Sequence, residues 1–183
     1  MRIKAIVFTL LTLGLLASCA NLPNSISVNK SDFDGQTEIS MIPATVYSPD
    51  SMWEGYGLGL RWRSDMGDSV VFTAEIGMDI VNIKSKGGLQ INIDGNVISL
   101  DSPDIGTNFE SQTTNTVTIS SSKKEFLGTL ALVRRMLSAK SVMVRLKTQN
   151  GYEDADFKMD GPMVAKDGFA KFIHKVDEIK GTP

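Results

Sequence analysis

Between Leu89 and Leu100 apolar and polar residues alternate, and the dipeptide Asp94-Gly95 interrupts the alternation midway. A period of two marks a strand with one buried face. Asp-Gly supplies the positive-φ pair that a tight type I′ turn requires. A two-residue turn sets Ile91 opposite Ile98 and Leu89 opposite Leu100, so one face stays apolar. A three-residue loop would set Ile91 against Ser99 and mix the faces. The chain is therefore expected to build itself from antiparallel hairpins.

Two further hairpins follow from the same logic. Leu58, Leu60 and Trp62 share one face of a run whose other face carries Gly57, Gly59, Arg61 and Arg63. After the turn-rich segment Ser64-Asp65-Met66-Gly67-Asp68, the residues Val70, Phe72, Ala74 and Ile76 alternate in turn. Trp62 opposite Val70, Leu60 opposite Phe72 and Leu58 opposite Ala74 keep that face apolar. Near the C-terminus Asn150-Gly151 is a preferred type I′ pair, which predicts Gln149 opposite Tyr152. Leu146 then meets Ala155 and Val144 meets Phe157, while Lys147 faces Asp154 and Arg145 faces Asp156. Each such charge pair contributes about 0.2–1 kcal/mol and disfavours a slipped register; the charges read as a solvated sheet face.

Helical periodicity occupies two places. Ser122-Lys123-Lys124-Glu125 has the form of a capping box. It precedes Phe126, Leu127, Leu130, Leu132, Val133, Met136 and Leu137, a stripe broad enough to be buried against a sheet. The second helix is expected from about Asp167 to Lys180, with Phe169, Phe172, Ile173, Val176 and Ile179 on one face and Gly181 as terminator. The fold class is thus α+β: a mainly antiparallel sheet of about six to eight strands with two packed helices, the second at the C-terminus.

The N-terminus has a different character. Arg2 and Lys4 precede an apolar stretch, Ala5 to Leu16, of about a dozen residues, too short for a membrane span, which needs about 20. It reads as an export signal. The stretch ends in Leu16-Ala17-Ser18-Cys19, which resembles the bacterial lipobox. That resemblance implies cleavage before Cys19, transfer of diacylglycerol to its sulfur and acylation of the new amino group. Several acyl chains, at about 0.8 kcal/mol per buried methylene, make a lasting anchor. Ala20 rather than aspartate after the cysteine implies sorting to the outer membrane, facing the periplasm. Residues 1–18 are accordingly expected to be the signal peptide and 19–36, rich in Asn, Ser and Asp, a flexible tether. Residues 37–183 form a single globular domain.

Cys19 is the only cysteine. Once lipidated it leaves the domain without thiol or disulfide, so stability must come from packing, for which the length suffices. Removing Arg2 and Lys4 from the 19 basic residues leaves 17 against 21 acidic ones, a formal charge of −4. That balance does not support nucleic-acid binding or a polybasic membrane patch.

No catalytic constellation emerges. His174 is the sole histidine, with Asp177 and Glu178 three and four residues on. A metal site needs three or four converging ligands, so His174 reads as a surface residue, and no metal or cofactor is expected. There is no Gly-x-Ser-x-Gly elbow. Gly55-Tyr56-Gly57-Leu58-Gly59 opens a strand, not a phosphate-binding helix, and its glycines suit a bend or close approach by a neighbour. Asp94-Gly95-Asn96 and Asp154-Ala155-Asp156 lack calcium-loop spacing. A carboxylate pair for glycoside cleavage would be invisible at this level.

Binding has better candidates. Trp53 and Tyr56 lie at the mouth of a strand after the Ser48-Pro49-Asp50 turn, either exposed as a hot spot or capping one end of the core. Arg61 and Arg63 line the face opposite Trp62, and Arg134 and Arg135 lie on the first helix, where a solvated edge is the competing reading. The expectation is an envelope-anchored, non-enzymatic lipoprotein that binds an envelope protein or serves assembly. A small-molecule or lipid-binding lipoprotein is the alternative, and a cell-wall or carbohydrate hydrolase the third reading. An apolar pocket of several hundred Å³ would favour a ligand; a carboxylate cluster with a raised pKa would favour the hydrolase.

Overall fold

The computed structural model describes residues 23–114, 117–161 and 163–181. Its strands are β1 (Ile26–Lys30), β2 (Thr37–Ser48), β3 (Ser51–Arg63), β4 (Ser69–Gly77) and β5 (Leu89–Ile93). They continue with β6 (Asn96–Leu100), β7 (Asn108–Thr114), β8 (Val117–Thr129), β9 (Val142–Lys147) and β10 (Tyr152–Asp156). The helices are α1 (Leu130–Ser138) and α2 (Ala165–Lys180). All ten strands belong to one sheet in the order β6-β5-β9-β10-β2-β3-β4-β8-β7, with β1 added beside β2. The chain is α+β, mainly antiparallel, with the second helix at the C-terminus. The sheet is larger than expected because polar, Ser/Thr-rich segments also pair. One of them, β1, was expected within the tether.

The β5–β6 register is Leu89↔Leu100 and Ile91↔Ile98, as the pattern requires. Asp94 (φ 49) and Gly95 (φ 93) both take the left-handed conformation of the tight turn. In the β3–β4 pair, Leu58 meets Ala74 and Leu60 meets Phe72, again as expected.

The β9–β10 hairpin differs. Tyr152 pairs with Lys147, Asp154 with Arg145 and Ala155 with Val144, a slip of two residues from the expected register. The loop therefore runs from Thr148 to Gly151 and is closed by the Thr148 N–H donating to the Gly151 carbonyl (2.9 Å). The cause is tertiary: Thr148 is buried and bridges to Ile83, while the Gln149 N–H donates to the Asn82 carbonyl (2.8 Å). A shift of two preserves the faces, so the apolar pattern could not detect it. It changes the charge partners: Arg145 grips Asp154 through two bonds of 2.6 and 2.7 Å.

The helix expected from Ser122 is a strand over half its length. β8 pairs with β4 from Gly77↔Ser121 to Ser69↔Thr129, and only Leu130–Ser138 is helical. Thr129 is the N-cap, its hydroxyl accepting from the Leu132 N–H at 3.1 Å. Ser122, Lys124 and Phe126 all point inward and are buried. The capping box lost to the ladder hydrogen bonds of β4 and to Ser122 Oγ, which accepts the Val81 N–H (2.9 Å) and donates to the Asp79 carbonyl (3.1 Å). The second helix starts slightly earlier than expected, at Ala165, and ends at Gly181 in the left-handed conformation.

Both helices pack on the face carrying Leu58, Leu60 and Trp62. Phe169 of α2 sits 6.0 Å from Phe72 and 5.0 Å from Phe157, ring centre to ring centre. Each fully buried side chain of this size contributes about 1.5–3 kcal/mol. The sheet curls until its ends meet: the Leu127 N–H donates to the Asp101 carbonyl (3.0 Å), and a Cβ on Gly128 would touch Leu100 at 3.4 Å. The inner space is thereby filled by the core, and binding surface is left at the strand ends and on the outer face.

Candidate functional site

The tight β2–β3 turn builds one wall of a cleft. Ser48 pairs with Ser51, and the Asp50 N–H donates to Ser48 Oγ (3.4 Å). The ladder shifts register between Tyr47 and Ser48, so β3 presses against β2 at Gly55. A Cβ on Gly55 would stand 2.1 Å from the Val46 carbonyl oxygen, so only glycine fits. The sequence reading anticipated such a close approach. A second wall comes from the end of β4, where Asp79 follows Met78 (φ 62) and is held through its carbonyl by Ser122. Glu153 and Asp154 of β10 form the third.

Together these segments enclose a cleft of about 790 Å³ whose lining includes Asp50, Glu54, Asp79, Glu153 and Asp154. Asp154 is neutralised by Arg145. The other four carboxylates form no ion pair among the described residues. The Glu153 carboxyl is pushed above the usual carboxylate range, chiefly by partial burial and then by the charges of Asp79 and Glu54. Glu153 thus resists ionisation, and an incoming cation would relieve it. Among the described residues no three acidic, His or Cys side chains converge closely enough to hold a metal ion. The negative charges are spread along the cleft, which suits spaced positive charges better than a single divalent ion.

The cleft continues onto the outer face of β5, β9 and β10. A hollow of about 320 Å³ there is lined by Gln90, Asn92, Val97, Met143, Arg145 and Asp154. Met143 and Asp154 line both spaces, so the two form one groove. The Asn92 Oδ1 is buried and has no hydrogen-bond partner among the described residues. The Arg145 guanidinium lies 3.9 Å from the centre of the Tyr152 ring, which is exposed beside it. Tyr56 lies beneath this region. Its hydroxyl is buried without a partner among the described residues, and burial first, then Glu153 and Asp154, drive its pKa well above the ordinary tyrosine value.

The residues proposed from sequence do not form one surface. Cys19 lies outside the described residues, and so does the side chain of Trp53, whose backbone belongs to β3. Tyr56 is only 2% exposed and is a core residue at the groove's base, not a hot spot. Arg61 is bound by Glu125 at 2.8 Å and approached by Glu38 at 3.9 Å. Arg63 is held by Asp65 through bonds of 2.8 and 2.6 Å. These two arginines occupy the outer sheet face. Arg134, paired with Asp177, and the exposed Arg135 lie on α1, across the sheet from them. His174 is exposed and sits 3.1 Å from Glu178.

The Ser48-Pro49-Asp50 turn borders the acidic cleft, which Asp50 and Glu54 line. Asp79 and Glu153 could not be linked to it from sequence, because nothing local marks their convergence. No protein-family model, curated protein or solved structure matches the chain.

Proposed function

We propose that this chain is an outer-membrane lipoprotein, facing the periplasm, whose acidic groove captures a basic, donor-rich segment of an envelope protein. The observation carrying this reading is the run of carboxylates Asp50, Glu54, Asp79 and Glu153 along one cleft, none of them in an ion pair among the described residues. Asn92 Oδ1 extends the run of acceptors onto the outer face. Lysine and arginine side chains offer donors only, so they match both the charge and the hydrogen-bond polarity of the lining. The carboxylates lining the cleft would repel the phosphate of a phospholipid, which weighs against the lipid-binding alternative.

Fluorescence anisotropy with a labelled lysine-rich peptide tests the proposal. Binding should weaken in Glu54→Gln/Asp79→Asn/Glu153→Gln and persist in Glu38→Gln/Glu110→Gln, whose changes lie outside the groove. Equal affinity in the two variants would reject it.

One observation favours a second reading. A carboxyl with a raised pKa beside other carboxylates is the pairing of proton donor and base used to cleave glycosidic bonds. Release of reducing ends from purified cell-wall glycan, abolished by Glu153→Gln, would replace the binding reading with this one.

A further inference from the structure

β1 shortens the leash between lipid and domain. Asn24 is already fastened to the fold: its N–H donates to the Ile42 carbonyl (3.3 Å) and its side-chain oxygen accepts from Lys171 Nζ (3.3 Å). α2 packs so tightly here that a Cβ on Gly168 would lie 2.9 Å from the Asn24 Cβ. The steps from Cys19 to Asn24, at most about 3.6 Å each, reach no further than about 18 Å. A lipid on Cys19 therefore holds this side of the molecule near the bilayer, wherever the intervening residues run.

The surface beside Asn24 suits that position. Met163, just before α2, is 49% exposed and has φ 56, a left-handed conformation that non-glycine residues adopt only where the surroundings hold them. Its carbonyl accepts the Thr45 N–H at 3.3 Å, three residues along β2 from Ile42, or about 10 Å away. Lys166 projects nearby, joined to the exposed Asp160 at 2.5 Å. Lys171 makes no ion pair among the described residues, and Asn24 is its hydrogen-bond partner. The exposed Met163 thioether presents apolar surface to the acyl boundary, and Lys171 presents a cation to phosphate headgroups, while Asp160 already neutralises Lys166.

We infer that this shoulder of Asn24, Met163 and Lys171 rests on the phospholipid surface that holds the Cys19 acyl chains. The inference depends on the lipidation in the proposed function. It also limits the partner. The groove begins at Ser48, about 20 Å along β2 from Ile42, so the basic segment it captures must be presented close to the membrane.

The test uses the full-length lipidated protein in vesicles of phosphatidylethanolamine and phosphatidylglycerol. With Cys19 acylated, a cysteine introduced elsewhere carries a fluorophore alone. Met163→Cys and Asn96→Cys place it on the shoulder and at the distant β5–β6 turn. A headgroup spin-labelled lipid should quench the label at 163 and leave that at 96 bright, and Lys171→Glu should abolish the quenching at 163. Equal quenching at both positions, or quenching at 163 that survives the charge reversal, overturns the shoulder while leaving lipidation intact. Protein that neither floats with the vesicles nor carries acyl mass on Cys19 overturns the lipidation reading, and this inference with it.

Discussion

Gly55→Ala tests the junction between fold and groove. The added Cβ would stand 2.1 Å from the Val46 oxygen and 3.1 Å from its carbon. An ordinary C···O contact is no shorter than about 3.3 Å, so β2 and β3 must separate by roughly 1 Å there. That separation disrupts the Tyr47↔Gly55 pairing. Loss of its ladder bonds costs about 0.5–1.5 kcal/mol each, and residual backbone strain adds on the order of 1–3 kcal/mol. The expected destabilisation is about 2–5 kcal/mol, a fall in Tm of about 4–20 °C for a domain of this length. Gly181→Ala is the control. Gly181 has φ 66 and ψ 27 and nothing within 4 Å of an added Cβ, so it should lose only the left-handed penalty of about 1–2 kcal/mol. Urea unfolding followed by tryptophan fluorescence measures both variants, with Trp62 buried as reporter. If Gly55→Ala proves no less stable than Gly181→Ala, the close approach of β2 and β3 is not as described.

Three other outcomes are expected. A double-mutant cycle between Arg145 and Asp154, both more than a third exposed, should show coupling of up to about 1 kcal/mol, and one between Arg145 and Asp156 none; the reverse would restore the two-residue turn. Thr129→Ala should cost about 1 kcal/mol as a lost helix cap, and Ser122→Ala about 1–3 kcal/mol by stranding the buried Val81 N–H; thermal unfolding of both variants checks this. Since Glu153 holds its proton above the ordinary value of 4.5, its contribution to stability is present below that value and fades as pH rises through the folded pKa. Over the same window its charge develops, so affinity for the lysine-rich peptide should climb. Anisotropy titrations across that range should show the climb in the wild type and a weaker one in Glu153→Gln.

The sequence by itself determined what depends on near neighbours. Asp94-Gly95 dictated a turn because its residues tolerate positive φ, and the alternation on either side then admitted a single register. Leu58 and Leu60 found their β4 partners for the same reason. Tertiary structure decided wherever two local solutions were close in energy. Ser122 to Glu125 would serve as a helix start or as strand, and pairing with β4 chose the strand. Asn150-Gly151 would serve a tight turn, but the bridge from Ile83 to Thr148 drew the hairpin two residues along at no cost to its apolar face. The groove belongs wholly to the second category. Asp50 and Glu54 flank one turn, while Asp79 and Glu153 arrive from strand ends far along the chain. Periodicity records which face of an element is buried, but not which elements meet, because that depends on how a curled sheet brings its ends together.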